Sequence, residues 1–374
     1  MGLEFIDGNE AIARAAIRAG CRFFAGYPIT PASSILQYML ELLPEVGGVA
    51  MQAEDEIASI GFCIGASMAG TKAMTATSGP GISLYSENIG LAIMGETPLV
   101  IVDVQRQGPA TGSATKGAEG DIQFARWVTS GGLPIIALSP ATVAEAYEFT
   151  FRAFNLAEQY RSPVFLLASK EIGLTQESVD LAAVALPPPV ERRRPESGAG
   201  YQPHYFERLE EVPALADMGS EHITQYTTST HGKDGYLTAD PALIQEMIEH
   251  YAAKIEAARD EIALYRHDAQ EDADTLVVSY GVTSRAADVA VARARAKGRK
   301  VSSLVLKTLF PVPETAIAEA LRGVDKVVVP EMNLGQYILD VERLAPAGVS
   351  VVGVNKMDTT LISPAEIIEQ GGLL

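Results

Sequence analysis

Four short stretches of the chain bring together residue types able to bind and activate a small charged ligand. The first is the turn Gly26-Tyr27-Pro28-Ile29-Thr30-Pro31-Ala32-Ser33-Ser34, with hydroxyls beside two backbone-fixing prolines. Where such a turn joins a strand to a helix, its hydroxyls and the helix N-terminal amides face a crevice that suits an anion. A rigid loop with a serine helix cap fits the same letters. The second is Ser78-Gly79-Pro80-Gly81, directly after Thr77. Its glycines let a backbone or a flat ring approach closely, and a plain tight turn is the alternative. Glu54, Asp55 and Glu56 form the third. Acidic residues favour a helix N-terminus, yet a carboxylate here is also placed to meet a ring nitrogen; Asp55 reads as a surface residue. The fourth is Arg106 in Gln105-Arg106-Gln107-Gly108-Pro109, a planar guanidinium that either grips a carboxylate at two points or lies on the surface.

Alternating helices and short apolar strands must position these groups. Strands are expected near 23–26, 49–51, 73–77, 99–104, 134–138 and 164–167, with helices near 33–43, 56–69 and 83–94 and from 143 onward. That alternation predicts an α/β fold with a parallel sheet covered on both faces. Residues 1–185 read as this first domain. From 186 to 241 the prolines, the run Glu191-Arg192-Arg193-Arg194 and scattered small residues show no period, so an extended linker is expected. A connecting helix (242–272) and a second α/β unit (273–374) follow, the latter with helices near 284–297, 314–321, 336–344 and 364–370.

Composition narrows the function. The chain has 374 residues, 47 acidic against 29 basic side chains and a net charge of −18, which disfavours nucleic acid. Cys21 and Cys63 are the only cysteines, too few for a [4Fe–4S] cluster within this chain or for a secreted disulfide framework; a reducing cytoplasm and no resident metal are expected. No run approaches the about 18 apolar residues of a membrane span. The stretch Gly65–Lys72 mimics a phosphate loop, but Lys and Thr are reversed and the glycines end a helix instead of opening one. The five histidines lack ligand spacing and read as solvated or structural.

Taken together, the motifs resemble the α subunit of 2-oxoacid:ferredoxin oxidoreductases. Tyr27-Pro28-Ile29-Thr30-Pro31 is similar to that family's signature turn. The segments Ala19–Gly26, Gln52–Ala58, Lys72–Gly81 and Asp121–Trp127 look like its 2-oxoglutarate branch, and Leu306–Pro311 and Glu331–Gln336 in the second domain also resemble the family. The resemblance implies two open parallel-sheet domains, one binding the pyrimidine of thiamine diphosphate and one transketolase C-terminal-like. It implies a cofactor shared with a β subunit that supplies the diphosphate site, Mg²⁺ and a [4Fe–4S] cluster. Further γ and ferredoxin-like subunits, ferredoxin as acceptor and coenzyme A as co-substrate follow from it too.

In such enzymes a glutamate hydrogen-bonded to the aminopyrimidine helps that ring take a proton from the thiazolium carbon. Glu56 precedes Gly65 by the nine positions seen in related thiamine enzymes and is the choice, with Glu54 second. By the same resemblance Thr30 and Arg106 hold the substrate carboxylate and 2-oxo oxygen, Tyr27 and Pro28 line the ring or substrate, and Thr77, Ser78 and Gly79 adjoin the cofactor. For the substrate, 2-oxoglutarate is favoured, with Lys116 or Arg126 offered for a distal carboxylate. The family's His-Gly-Asp segment is here Val128-Thr129-Ser130-Gly131-Gly132, so an aryl or branched-chain 2-oxo acid is the alternative. Near the C-terminus Asn355–Thr360 replaces a glycine-containing turn. A non-redox thiamine enzyme subunit and a non-catalytic scaffold subunit are the competing readings.

Overall fold

The computed structural model describes residues 2–198 and 200–374. Strand alternation builds the first sheet, whose order is Thr308–Phe310, Ile136–Leu138, Pro163–Ser169, Leu99–Gln105, Ala73–Thr77, Phe23–Gly26, Val49–Gln52. All neighbours are parallel except the Thr308–Phe310 edge. Successive side chains face opposite sides: Phe24, Met74, Val102 and Leu166 enter one core, Ala25, Ala73, Ile101 and Phe165 the other. Strands buried on both faces read as continuous apolar runs, and Leu99–Gln105 is buried throughout.

Helices cover both faces and start at side-chain caps: Asp7, Asp55, Thr142 and Asp240 each accept a backbone N–H of the first turn. Helix Pro80–Met94 opens three residues earlier than the apolar pattern suggests, because Pro80 suits the first helical position. Helix Ile338–Leu344 begins two residues late, because the buried Glu331 carboxylate takes the N–H groups of Gln336, Tyr337 and Ile338 at 3.3, 2.8 and 2.9 Å.

The second sheet runs Ser350–Asn355, Lys326–Glu331, Thr275–Tyr280, Val301–Leu306, Tyr265–Asp268, with only the last strand antiparallel. Here the structure differs from the single connecting helix expected over 242–265. Helix Pro241–Glu256 is followed by a short helix, Arg259–Ile262, and then by the exposed strand Tyr265–Asp268. The Leu264 carbonyl accepts the N–H groups of Lys307 and Thr308, both at 2.9 Å, which draws the chain out of helix and into the sheet. Thr308–Phe310 then crosses to pair with Ile136–Leu138, so the two sheets exchange a strand. A two-stranded sheet, Glu4–Asp7 with Gln176–Val179, also escaped the sequence pattern. In the turn that replaces the family's glycine, Thr359 holds φ +75° and Asp358 accepts the Thr360 N–H at 2.9 Å.

Among the described residues of the 186–241 connector there is no helix or strand before Pro241 opens the next helix, and buried charge holds it in place. Arg192 grips Glu158 at two points, 2.7 and 2.8 Å. Glu96, fully buried, accepts from Lys254 at 2.6 Å and His250 at 2.9 Å on one oxygen and from His204 at 2.9 Å on the other, with Arg161 4.0 Å away. Although burial disfavours its charge, Lys254 and Arg161 hold the Glu96 carboxyl well below the usual range. Burial lowers His204 to about 4, leaving a neutral ring that donates from Nδ1. Lys254→Met leaves a buried carboxylate short of its strongest donor and is expected to cost about 3 kcal/mol or more, measured by denaturant unfolding.

The sequence segments Asp121–Trp127 and Glu331–Gln336 meet as an interdomain clasp. Asn333 donates to the Glu119 carbonyl at 2.8 Å, Gln336 to the Gly120 carbonyl at 2.6 Å, and Gln123 to the Gln336 carbonyl at 3.0 Å. Arg126 pairs with Asp340 at 2.6 Å and stacks beside Trp127 and Phe310, so it is committed to the clasp and is removed as a partner for a distal substrate carboxylate. Glu119 is buried in this seam, accepting from Val282 N–H at 3.3 Å in space left open by the missing Cβ of Gly281. Burial, with Glu171 and Glu331 nearby, pushes its carboxyl up to about 8. The native state therefore binds more protons than the unfolded chain between the ordinary glutamate value and about 8, and stability falls as pH rises through that window, at up to about 1.4 kcal/mol per pH unit. Glu119→Gln should flatten this slope in unfolding titrations from pH 5 to 8.5.

Candidate active site

The strand order reverses direction beside Phe23–Gly26. The chain leaves that strand for Val49–Gln52 on one side and returns to Ala73–Thr77 on the other. The helix after the first turn packs in one core layer through Ile35, Leu36 and Met39; the helices after the other two strands pack in the opposite layer through Ile60, Ile64, Ile82 and Tyr85. The connecting turns therefore splay apart at the C-terminal edge of the sheet and open a crevice. Three of the four stretches singled out above come to its walls directly, and Arg106 lies at the end of the adjoining strand.

Glu56 is the first residue of helix Glu56–Met68 and is 7% exposed. Asp55, half-buried, is the cap of that helix rather than a free surface acid: it accepts the Ala58 N–H at 2.7 Å. Glu54 is exposed. The Glu56 carboxylate accepts no hydrogen bond from any described residue and lies against the first turn of helix Pro80–Met94. A Cβ at Gly81 would sit 3.2 Å from Glu56 Oε1 and would overlap the Thr77 hydroxyl. Thr77 and Ser78 are fully buried, and neither hydroxyl has a partner. Gly79 holds φ +43°, a left-handed conformation open to glycine, and its N–H donates to Asp103 Oδ1 at 3.2 Å.

Arg106 is 5% exposed rather than on the surface. Its Nη1 donates to the Thr30 carbonyl at 2.6 Å and its Nη2 to the Thr111 carbonyl at 3.1 Å, tying two loops together. Each Nη thus gives one hydrogen to the protein's own backbone, and Nε is buried without an acceptor. Tyr27, Pro28 and Thr30 are exposed on the open side, as is Lys116. Three more groups belong to the site but were not singled out: Gln105, Asp103 and Asp121, each with a buried polar atom that has no partner. A cavity of about 670 Å³ among Arg193, Tyr201, Gln202 and Tyr205 of the connector touches none of these groups.

This edge of the sheet is rich in unsatisfied donors and acceptors, a state native proteins rarely tolerate without a ligand or water. Its free carboxylate, missing Cβ atoms and open hydroxyls fit a flat heteroaromatic ring presenting nitrogen. Among the described residues no group of three His, Cys, Asp or Glu side chains is placed to hold a metal.

Residues 14–259 match the family described as "Pyruvate flavodoxin/ferredoxin oxidoreductase, thiamine diP-bdg", and residues 273–367 match "Pyruvate:ferredoxin oxidoreductase core domain II". The chain belongs to the 2-oxoacid:ferredoxin oxidoreductase family, as an α subunit of the 2-oxoglutarate branch. It is 43% identical to 2-oxoglutarate synthase subunit KorA of Methanocaldococcus jannaschii over 98% of both chains. To ketoisovalerate oxidoreductase subunit VorB of Methanothermobacter marburgensis it is 34% identical, over 99% of this chain and 97% of that one. A solved 2-oxoglutarate:ferredoxin oxidoreductase from Magnetococcus marinus, with 2-oxoglutarate, coenzyme A and succinyl-CoA bound, superposes with a TM-score of 0.93 at 31% identity, covering 99% of this chain and 65% of that one. The α/β architecture expected from the strand and helix alternation is therefore that of the family.

The geometry makes the Gly81 contact testable. Gly81→Ala should overpack the Thr77–Glu56 contact and destabilise by roughly 1–3 kcal/mol. Adding Thr77→Ala should restore part of that loss, a coupling that a double-mutant cycle of unfolding free energies would read directly.

Proposed function

We propose that this chain, assembled with a partner subunit, carries out the oxidative decarboxylation of a 2-oxo acid, 2-oxoglutarate foremost, to an acyl-CoA with electrons passed to ferredoxin. The observation that carries the reading is the Glu56 carboxylate, nearly buried, without a donor, and facing a turn stripped of Cβ atoms. When bound, thiamine diphosphate would supply the nucleophilic carbon and the electron sink that decarboxylation needs.

The chain's own residues then have distinct tasks. Glu56 would hold the ring by accepting a hydrogen bond from its protonated nitrogen, favouring the form of the ring that can act as a base. Gly79 and Gly81 allow the ring to approach, while the Thr77 and Ser78 hydroxyls satisfy its polar edge. The Thr30 hydroxyl and Arg106 Nε hold the substrate carboxylate and 2-oxo oxygen, and Tyr27 and Pro28 exclude water from the open side. The diphosphate site, Mg²⁺ and a [4Fe–4S] cluster fall to a β subunit, with γ and ferredoxin-like subunits completing the complex in the cytoplasm. The exposed Ile57, Phe62 and Leu84, next to Gly61 and Gly65, which have open space in place of a side chain, are the surface on which that β subunit would seat. No helix among the described residues is long and apolar enough to cross a membrane.

A branched-chain 2-oxo acid is the second reading. Arg126 is engaged by Asp340, which leaves the exposed Lys116 as the remaining cation singled out for a distal carboxylate. The higher identity to the KorA relative than to the VorB relative favours 2-oxoglutarate. Turnover by the purified complex with coenzyme A and a viologen acceptor should be highest on 2-oxoglutarate among 2-oxoglutarate, pyruvate, branched-chain and aryl 2-oxo acids. Glu56→Ala should lower it about 10²-fold or more. A complex that carries no thiamine diphosphate, or a Glu56→Ala variant with near wild-type turnover, sinks the reading.

A further inference from the structure

The exposed turn that carries Tyr27 and Thr30 is anchored by few bonds. Among the described residues, the backbone of 27–31 takes part in two hydrogen bonds, and both end on carbonyls. Arg106 donates to the Thr30 carbonyl at 2.6 Å. The next carbonyl, that of Pro31, accepts from Asn9 Nδ2 at 2.9 Å. The same nitrogen gives its second hydrogen to Ser34 Oγ at 2.7 Å, in the first turn of helix Ser33–Leu42. Ile29 adds apolar packing against the core, and Pro28 and Pro31 have no N–H to contribute.

Asn9 is fully buried in the first turn of helix Gly8–Arg18, whose Ile12, Ala13 and Ala16 enter the core. A carbonyl can only accept, so the amide turns its nitrogen and not its oxygen to Pro31. Two glycines fix its place. A Cβ at Gly8 would overlap the Ile172 carbonyl, and one at Gly173 would lie 2.8 Å from Asn9 Oδ1. The helix start and the chain at 172–173 therefore close around the amide, and Oδ1 is buried with no donor to draw the group round. A side chain on a packed helix, locked on its far side, is a rigid support for a loop.

We propose that Asn9 is a positioning residue for the substrate side of the site: it holds Pro31 and thereby sets the place of Thr30, one residue back. The inference rests on the role given above to Thr30. Asn9 is sealed beneath the turn and acts through it. Without the amide, one of the two carbonyl anchors is gone, the Thr30 hydroxyl is no longer held where a 2-oxo acid needs it, and binding of that acid weakens. Glu56 and the Thr77–Gly81 turn stand on other elements and keep their places.

Asn9→Asp in the assembled complex tests this, since it keeps the shape of the side chain but removes both N–H donors. KM for 2-oxoglutarate should rise roughly tenfold, with kcat, KM for coenzyme A and thiamine diphosphate affinity much less affected. A merely structural role would instead lower the active fraction and leave KM unmoved. Thr30→Ala separates the two further: if Asn9 works through Thr30, the double variant's KM matches that of Thr30→Ala alone and is not the product of both increases. Amide hydrogen exchange needs no turnover: residues 27–34 should exchange faster in Asn9→Asp, with strand Leu99–Gln105 unchanged. If the buried carboxyl prevents assembly, Asn9→Ala is measured in the same way. An unaltered KM, multiplicative effects in the double variant, unaltered exchange, or failure of both variants to assemble overturns the proposal. Faster exchange of 27–34 in a complex whose wild type consumes no 2-oxo acid overturns the role toward substrate, and with it the reading of function, while the anchor stands.

Discussion

The carboxylate of Glu331 is the point on which the arrangement of this chain turns. It is fully buried at the end of a central strand of the second sheet. One oxygen takes the Tyr280 hydroxyl at 2.8 Å, the Asn333 amide at 3.1 Å and two backbone N–H groups, and the other takes the Ile338 N–H. A buried charge is tolerated only when its lone pairs are filled, and here every donor comes from the turn it organises or the strand beside it. That turn presents Asn333 and Gln336 to the first domain, where they hold Glu119 and Gly120. The loop carrying Arg106 is thereby pinned at both ends: by Arg106 to Thr30 and Thr111, and by the clasp at Gly120. Through the clasp the second domain sets the position of Asp121 and of the loop that shapes the crevice.

Polar satisfaction is uneven across the fold, and the unevenness locates the chemistry. Around the connector, the buried charges Glu96, Arg161, Lys254 and Arg192 have their partners, although Asp217 and Tyr226 each keep a buried atom without one. At the C-terminal edge of the first sheet Thr77, Ser78, Asp103, Gln105, Arg106 and Asp121 each retain a buried atom without one. A structural network closes on itself, whereas a binding edge leaves donors and acceptors for what it binds.

Much of this was legible in the sequence, and the limits have physical causes. Turns that close apolar strands are visible because Gly, Pro and Ser punctuate them, which is how the 26–34 and 78–81 turns and Glu56 came forward. Asp103 was not, since one acid inside Leu-Val-Ile-Val-Asp-Val-Gln leaves the strand pattern intact and gives no sign of which face is wet. Three residues, Thr308–Phe310, are too few to show a period of two, and their exchange into the other sheet depends on pairing with residues far away in sequence. Tyr265–Asp268 continues a helical spacing and becomes a strand through tertiary hydrogen bonds. The connector lacks any period because its order comes from ion pairs such as Lys254 with Glu96, separated by 158 residues. Arg126 illustrates the same limit: an arginine in a motif looks available until its partner Asp340, 214 residues on, is seen.

In the proposed assembly the helix Glu56–Met68 serves two ends at once. Its first residue faces the crevice, while Ile57, Gly61, Phe62 and Gly65 lie along its exposed side. An apolar stripe with two residues lacking side chains lets another backbone come close, and in water such a stripe favours burial. A partner that covers it presses on the element that aims Glu56, and a ring held by Glu56 stiffens the element the partner must meet. Ligand and subunit binding are then linked, each strengthening the other by the same factor. Cys21 and Cys63 are both free and buried, with thiols pushed up by burial. The coupling through the Glu56 helix gives a partner subunit a mechanical reason to be in place before the proposed site is complete.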